Sequence, residues 1–111
     1  MAEKEMIREF YERFFNQHDV EAADDYVRED YIQHNPGVPQ GREGLKNAFR
    51  DKFKSNPEFH LRIDKMIQED DMVVVYLKNL NSDGTTKVRV VDIYRVLEGK
   101  LAEHWDVLQL C

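Results

Sequence analysis

VRVVDIYRVLEGKLAEHWDVLQ, residues Val88 to Gln109, decides how this chain folds. Two runs rich in Val, Ile, Leu, Tyr and Trp flank Leu97-Glu98-Gly99, which is the composition of a strand, a turn and a second strand. A two-residue loop, Glu98-Gly99, needs φ > 0 at both positions, and Glu is poorly suited to that. A three-residue loop, Leu97-Glu98-Gly99, needs φ > 0 only at Gly99, as in a type I turn closed by a G1 bulge. The second reading is preferred. It pairs Val96 with Lys100, Tyr94 with Ala102, Asp92 with His104 and Val90 with Asp106. Because side chains alternate along a strand, one face then carries Val88, Val90, Asp92, Tyr94, Ala102, His104, Asp106 and Leu108. The other carries Val91, Ile93, Arg95, Leu101, Glu103, Trp105 and Val107. Two carboxylates and an imidazole thus gather among apolar neighbours, and a one-residue slip would separate them.

Composition narrows what such a hairpin can belong to. At 111 residues the chain is expected to form one domain, residues 1–111, with a single core and room for one pocket. Net charge is −6 and the isoelectric point about 5.2, which argues against a nucleic-acid footprint. There is no long apolar run to cross a membrane, and Met1-Ala-Glu-Lys-Glu-Met6 lacks the apolar region of a signal peptide. The one cysteine, Cys111, is terminal and has no internal partner, in keeping with a cytoplasmic protein.

Working outward from the hairpin, the N-terminal third is helical. Met6, Ile7, Phe10, Tyr11, Phe14 and Phe15 recur at three- and four-residue steps and predict a helix from about Ala2 to Gln17. Tyr11 either joins that core stripe or turns its hydroxyl into a pocket. Asp19 is suited to cap a second helix over about Val20 to Val27, with His18 solvated or capping at the junction. Tyr31-Ile32-Gln33-His34-Asn35-Pro36 reads as a short extended piece ending in a turn. A third helix is expected from about Arg42 to Lys54, with Leu45, Ala48, Phe49 and Phe53 inward, stopped by Asn56-Pro57. Phe59 to Asp64 alternates as a strand, with a bulge or bend after it, and Met72 to Leu80 is a β-branched strand. Three helices followed by at least four antiparallel strands is an α+β arrangement with the helices on one face of the sheet.

Asp92-Ile93-Tyr94-Arg95 and Glu103-His104-Trp105-Asp106, bridged by a Gly-Lys turn, together with Tyr31-Ile32-Gln33-His34-Asn35-Pro36, resemble the SnoaL-like polyketide cyclase branch of the NTF2-like superfamily. The resemblance covers nearly the whole chain. It implies three N-terminal helices packed on a cone-shaped, curved, mostly antiparallel sheet with a pocket in its mouth. It further implies an Asp at the position of Asp92 as general acid/base in an intramolecular aldol condensation. His34 and Asn35 match the pocket residues that hold the substrate's carbonyls. One departure is that relatives often carry His-x-His on the middle strand, where this chain has Tyr76-Leu77-Lys78.

Asp92, His104, His34 and Asp106 are therefore the candidate catalytic residues. Asn35, Tyr76, Lys78, Tyr11 and Tyr94 are the candidate substrate contacts. A carboxylate facing an imidazole in a half-dry pocket can move protons, and polar groups on an apolar face cost several kcal/mol unless something compensates. The residues admit three functions. One is a cofactor-independent enzyme moving a proton α to a carbonyl in a small apolar ligand. Another is a non-catalytic small-molecule binder on the same scaffold. The third is a metal site drawn from His34, His104, Asp92 and Asp106, which lacks any local ligand spacing, so that no metal is expected. The outer hairpin face, with Val91, Ile93, Leu101, Trp105 and Val107, is too apolar to stay in water and predicts a homodimer through face-to-face sheets.

Overall fold

A computed structural model of the chain describes residues 3–111. Ala2, where the first helix is expected to begin, lies outside them. The elements are α1 (Glu3–Phe10), a π-helical segment (Tyr11–Asn16), a 3-10 turn (Val20–Ala22), α2 (Ala23–Tyr26), β1 (Val27–Gln33), α3 (Gly41–Ser55), β2 (Leu61–Glu69), β3 (Met72–Leu80), β4 (Thr86–Leu97) and β5 (Lys100–Leu110). The sheet order is β1-β5-β4-β3-β2, with β1 parallel to β5 and every other pair antiparallel.

The apolar stripe of the first helix is fully buried, from Ile7 and Phe14 at 0 % exposure to Phe15 at 7 %. Its repeat is strictly four residues (6, 10, 14 and 7, 11, 15), so in an α-helix it would drift about 40° around the axis per step. The switch to wider π-helical turns at Tyr11 keeps both rows on the sheet, and the Gln17 N–H closes a five-residue loop onto Glu12 O at 2.9 Å. His18, at φ +58°, ends the segment and stacks on Phe53 with ring centroids 4.2 Å apart. The Asp19 side chain caps nothing; it pairs at 3.7 Å with Arg13. The second helical stretch ends at Tyr26, and the extended piece is accordingly longer than expected, beginning at Val27.

The hairpin turn departs from the three-residue reading. Leu97 pairs with Lys100, leaving a two-residue turn in which Glu98 (φ +53°) and Gly99 (φ +77°) are both left-handed. Such turns match the right-handed twist of the strands, and this outweighs the cost of Glu98 in that region. Register then shifts once more. Val96 faces Leu101 but Arg95 faces Glu103, so Ala102 is an extra, bulged residue. Leu101 and Ala102 consequently both point inward, at 0 % and 3 % exposure, and Leu101 is a core residue rather than part of the outer face. Beyond the bulge Tyr94 faces His104, Asp92 faces Asp106 and Val90 faces Leu108. The pairing is offset by two residues from the expected one, which preserves the parity of the faces.

A second bulge, at Asp64, separates the pair Ile63–Leu77 from Lys65–Tyr76, and β1 is irregular between Val27 and Ile32. Bulges bend and twist strands, and here they accompany a curved sheet that stays open, with β1 and β2 as its edges. The helices cover its concave face. The core runs from Ile7, Phe10 and Phe14 through Leu45 and Phe53 to Val73, Val75, Leu77 and Tyr94. Among the described residues no helix is long and apolar enough to cross a membrane.

Candidate active site

Between the helices and the concave face lies a cavity of about 150 Å³. Its walls include Phe10, Phe15, Leu45, Phe49, Leu77 and Val90, and its polar end holds Tyr31, Gln33, Asn35, Asp92, Tyr94, His104 and Asp106. Each strand contributes by alternation. Asp92 and Tyr94 come from β4, His104 and Asp106 from β5, and Tyr31 and Gln33 from β1, whose Gln33 lies beside His104 in register.

Asp92 is 6 % exposed and His104 7 %. Asp92 Oδ1 meets His104 Nε2 at 2.9 Å, and Asp92 Oδ2 accepts a hydrogen bond from the Tyr11 hydroxyl. Tyr11 and Tyr94 hydroxyls are 2.8 Å apart. Since the Tyr11 proton goes to Asp92, Tyr94 donates to Tyr11, giving a directed chain from Tyr94 through Tyr11 to the carboxylate. Burial, reinforced by the Asp92 charge, pushes both phenols well above their ordinary ionisation range and keeps them donors.

Gln33 fixes the imidazole. Its side-chain oxygen accepts the backbone N–H of Asn35 at 3.1 Å, so that atom is an acceptor, and His104 Nδ1, 2.7 Å away, must donate to it. With Nδ1 protonated, the contact between Nε2 and Asp92 Oδ1 needs one further proton. The dyad therefore holds one proton between Nε2 and Oδ1. Gln40 clamps Gln33 from the loop, accepting its backbone N–H at 2.9 Å and donating to its carbonyl at 2.6 Å. Asn35 Nδ2 donates to Asp106 Oδ2 at 2.9 Å, and that oxygen is 3.9 Å from His104 Nε2.

Three of the candidates lie elsewhere. His34 follows Gln33 on an alternating strand and so points to the convex face. There it stacks on Trp105, with centroids 4.7 Å apart, and its Nε2 meets Glu103 Oε2 at 2.7 Å. This His34 contact and Arg95 hold the Glu103 carboxyl below its ordinary range. Tyr76 and Lys78 are likewise turned out, because Val75, Leu77 and Asn79 take the inward positions of β3; Lys78 pairs with Asp64 at 3.0 Å. Tyr11 does not line the cavity but backs Asp92 from behind, whereas the Tyr94 ring does line it. Gln33 and Tyr31 were missed in the sequence, although alternation carried the signal. If Asn35 faces the pocket from the strand's end, Gln33 and Tyr31 share its side and His34 does not.

Asp92, His104 and Asp106 can each offer one ligand atom within 4.8 Å of the others. With His34 on the far face, the two-histidine metal set is not assembled.

The SnoaL-like polyketide cyclase family model matches residues 5–111. The chain belongs to the SnoaL-like polyketide cyclase family. No curated protein matches it by sequence. Solved structures similar to this SnoaL-like chain include IdmH from Streptomyces antibioticus, described as a candidate polyketide cyclase, at 21 % identity and TM-score 0.81, covering 98 % of this chain and 93 % of that one. A candidate polyketide cyclase from Bacillus cereus is 29 % identical at TM-score 0.78, covering 94 % and 72 %. A candidate isomerase of the SnoaL-like family from Agrobacterium tumefaciens is 11 % identical at TM-score 0.83, covering 98 % and 99 %. The NTF2-like fold that the resemblance implies is thus the fold of these neighbours.

Proposed function

We propose that this SnoaL-like protein is a cofactor-independent enzyme that moves a proton α to a carbonyl in a small, mostly apolar ligand. The observation that carries the reading is the buried contact of Asp92 Oδ1 with His104 Nε2, 2.9 Å apart, at the polar end of an apolar cavity. Each Asp92 oxygen accepts one hydrogen bond and keeps a lone pair, so the carboxylate can accept a C–H proton without leaving its partners.

In this reading the α-proton passes to Asp92, and His104 carries the dyad's own proton, so that the pair is transiently doubly protonated. The enolate carbon then attacks a second carbonyl of the same molecule, a C–C bond forms, and the new alkoxide takes the proton back. In an isomerisation the proton returns instead to a different carbon. Either way the proton removed is the proton returned, and the balance needs no oxidant or co-reactant. Apolar walls lower the local dielectric and strengthen charge interactions at the reacting centre.

The test is α-hydrogen exchange of small ketones in D2O, followed by NMR. Wild-type protein should accelerate exchange, and Asp92→Asn should lower turnover roughly 100-fold or more with little change in ligand affinity. Full turnover in Asp92→Asn would make Asp92 structural. Ligand binding without any exchange in the wild type would leave a non-catalytic binding domain.

A further inference from the structure

Tyr31 is 3 % exposed, yet its hydroxyl has no hydrogen-bond partner among the described residues. Nor is that oxygen sealed inside the core, so it opens on the cavity that its ring lines. Buried phenols ordinarily find a partner. The ring lies nearly parallel to the His104 imidazole, with centroids 6.4 Å apart. The Asp92 and Asp106 charges add to burial in keeping the phenol protonated far into alkali. Tyr31 is therefore a held, unspent donor beside the carboxylate that would take the α-proton. Two other donors on the cavity wall are already engaged, Tyr94 with Tyr11 and Asn35 with Asp106.

The cavity also limits what can sit there. A volume of about 150 Å³ is close to that of an engineered apolar cavity that takes up benzene. It encloses about one ring of a ligand.

Building on the proton-transfer reading, we infer that the substrate class is a carbonyl compound about one ring in size, and that Tyr31 is a catalytic residue whose hydroxyl donates to the carbonyl oxygen as it becomes an enolate. A single well-placed donor of this kind is worth about 100- to 1000-fold in turnover. The Gln33 amide group, also on the cavity wall, retains an unengaged N–H and would supply part of the effect when Tyr31 is lost.

Cyclohexanone and its two-ring counterpart 2-decalone test the inference. Tyr31→Phe removes no hydrogen bond made within the protein, so the variant should fold with unchanged thermal stability. It should lower turnover of cyclohexanone α-exchange about 10- to 100-fold. Infrared spectroscopy of the bound ketone gives a reading independent of turnover. The carbonyl stretch should lie below its apolar-solvent frequency in wild type and in Asp92→Asn, and return towards that frequency in Tyr31→Phe. An identical stretch in wild type and Tyr31→Phe overturns the assignment, and so does 2-decalone competing as well as cyclohexanone. If no form of the protein accelerates exchange, the proton-transfer reading fails while the infrared comparison still decides whether Tyr31 holds the carbonyl.

Discussion

Replacing Asp92 by Asn and by Ala should give opposite results in stability and similar results in activity. Asn can keep every partner. Its oxygen accepts the Tyr11 hydroxyl, and its amide donates to His104 Nε2, which is then a neutral imidazole still donating from Nδ1 to Gln33. What vanishes is the shared proton and the oxygen that could take a second one. Stability should stay within about 1 kcal/mol of wild type, because no buried group is orphaned. Ala orphans the Tyr11 hydroxyl proton and His104 Nε2 together, at about 1–3 kcal/mol each, or about 2–6 kcal/mol in all. Against the usual 5–15 kcal/mol of total stability, and at roughly 4 °C per kcal/mol for a chain of this length, the midpoint should fall by about 8–24 °C. Urea denaturation and calorimetry read stability, while α-exchange NMR reads activity. Asn as destabilising as Ala would mean that the carboxylate's charge, rather than its hydrogen bonds, holds the site together. The proton inventory deduced from Gln33 would then be wrong.

Other expectations concern parts of the fold away from the reacting atoms. Tyr11, Tyr31 and Tyr94 are all held protonated above the ordinary 10.0 in the folded state. Their contribution is therefore complete below pH 10 and declines as pH rises further, by about 1.4 kcal/mol per pH unit for each and about 4 for the three; denaturation curves flat through pH 11 would contradict this. Gly99→Val, at φ +77° with open space where the Cβ would go, should cost about 1 kcal/mol or more purely through backbone strain, and Glu98→Gly should stabilise, both read as shifts in denaturation midpoint. On the convex face, register aligns Ile67, Val74, Ile93 and Trp105 in one row across four strands and Tyr76, Val91 and Val107 in the next. Sedimentation at micromolar concentration should give a homodimer that Ile93→Lys dissociates, and a monomeric wild type would refute the face-to-face packing.

Much of this architecture was legible because strong periodicities have one physical reading. The stripe from Met6 to Phe15 is a buried helix face and the alternation of Met72 to Leu80 a strand, whereas the strand expected from Phe59 begins only at Leu61, because the Phe59 N–H turns back to Asn56 O. What could not be read locally was β1. Its sequence, VREDYIQ, carries three charges in its first half, and Val27 looks like the end of a helix. It becomes a strand because the edge of β5 is there to pair with it, a contact between residues some seventy positions apart. The error at His34 has the same origin. Without a strand, nothing required His34 and Asn35 to face opposite ways.

The hairpin is the sharper case. The turn was misjudged by one residue, which by itself would have put Asp92 opposite Trp105 and sent the imidazole to the convex face. The bulge at Ala102 adds one residue on the other side and returns His104 to the concave face. The sequence holds a reason for both. A two-residue turn sets the twist, and Leu101 and Ala102 are both apolar, so either can be buried without cost when the strand slips past itself. Parity was preserved because the apolar pattern on each side of the bulge had to meet the same core, with Val96 and Leu101 before it and Tyr94 and His104 after it. The two-residue offset is also what the site depends on. With Asp92 directly opposite His104, the two carboxylates would sit on diagonal positions. With Asp92 opposite Asp106 and Tyr94 opposite His104, the imidazole reaches diagonally to Asp92 at 2.9 Å and lies 3.9 Å from Asp106. The Tyr94 ring meanwhile packs against the imidazole, with centroids 4.9 Å apart. The bulge thus places one imidazole between two carboxylates, and so sets the geometry on which the proposed proton transfer rests.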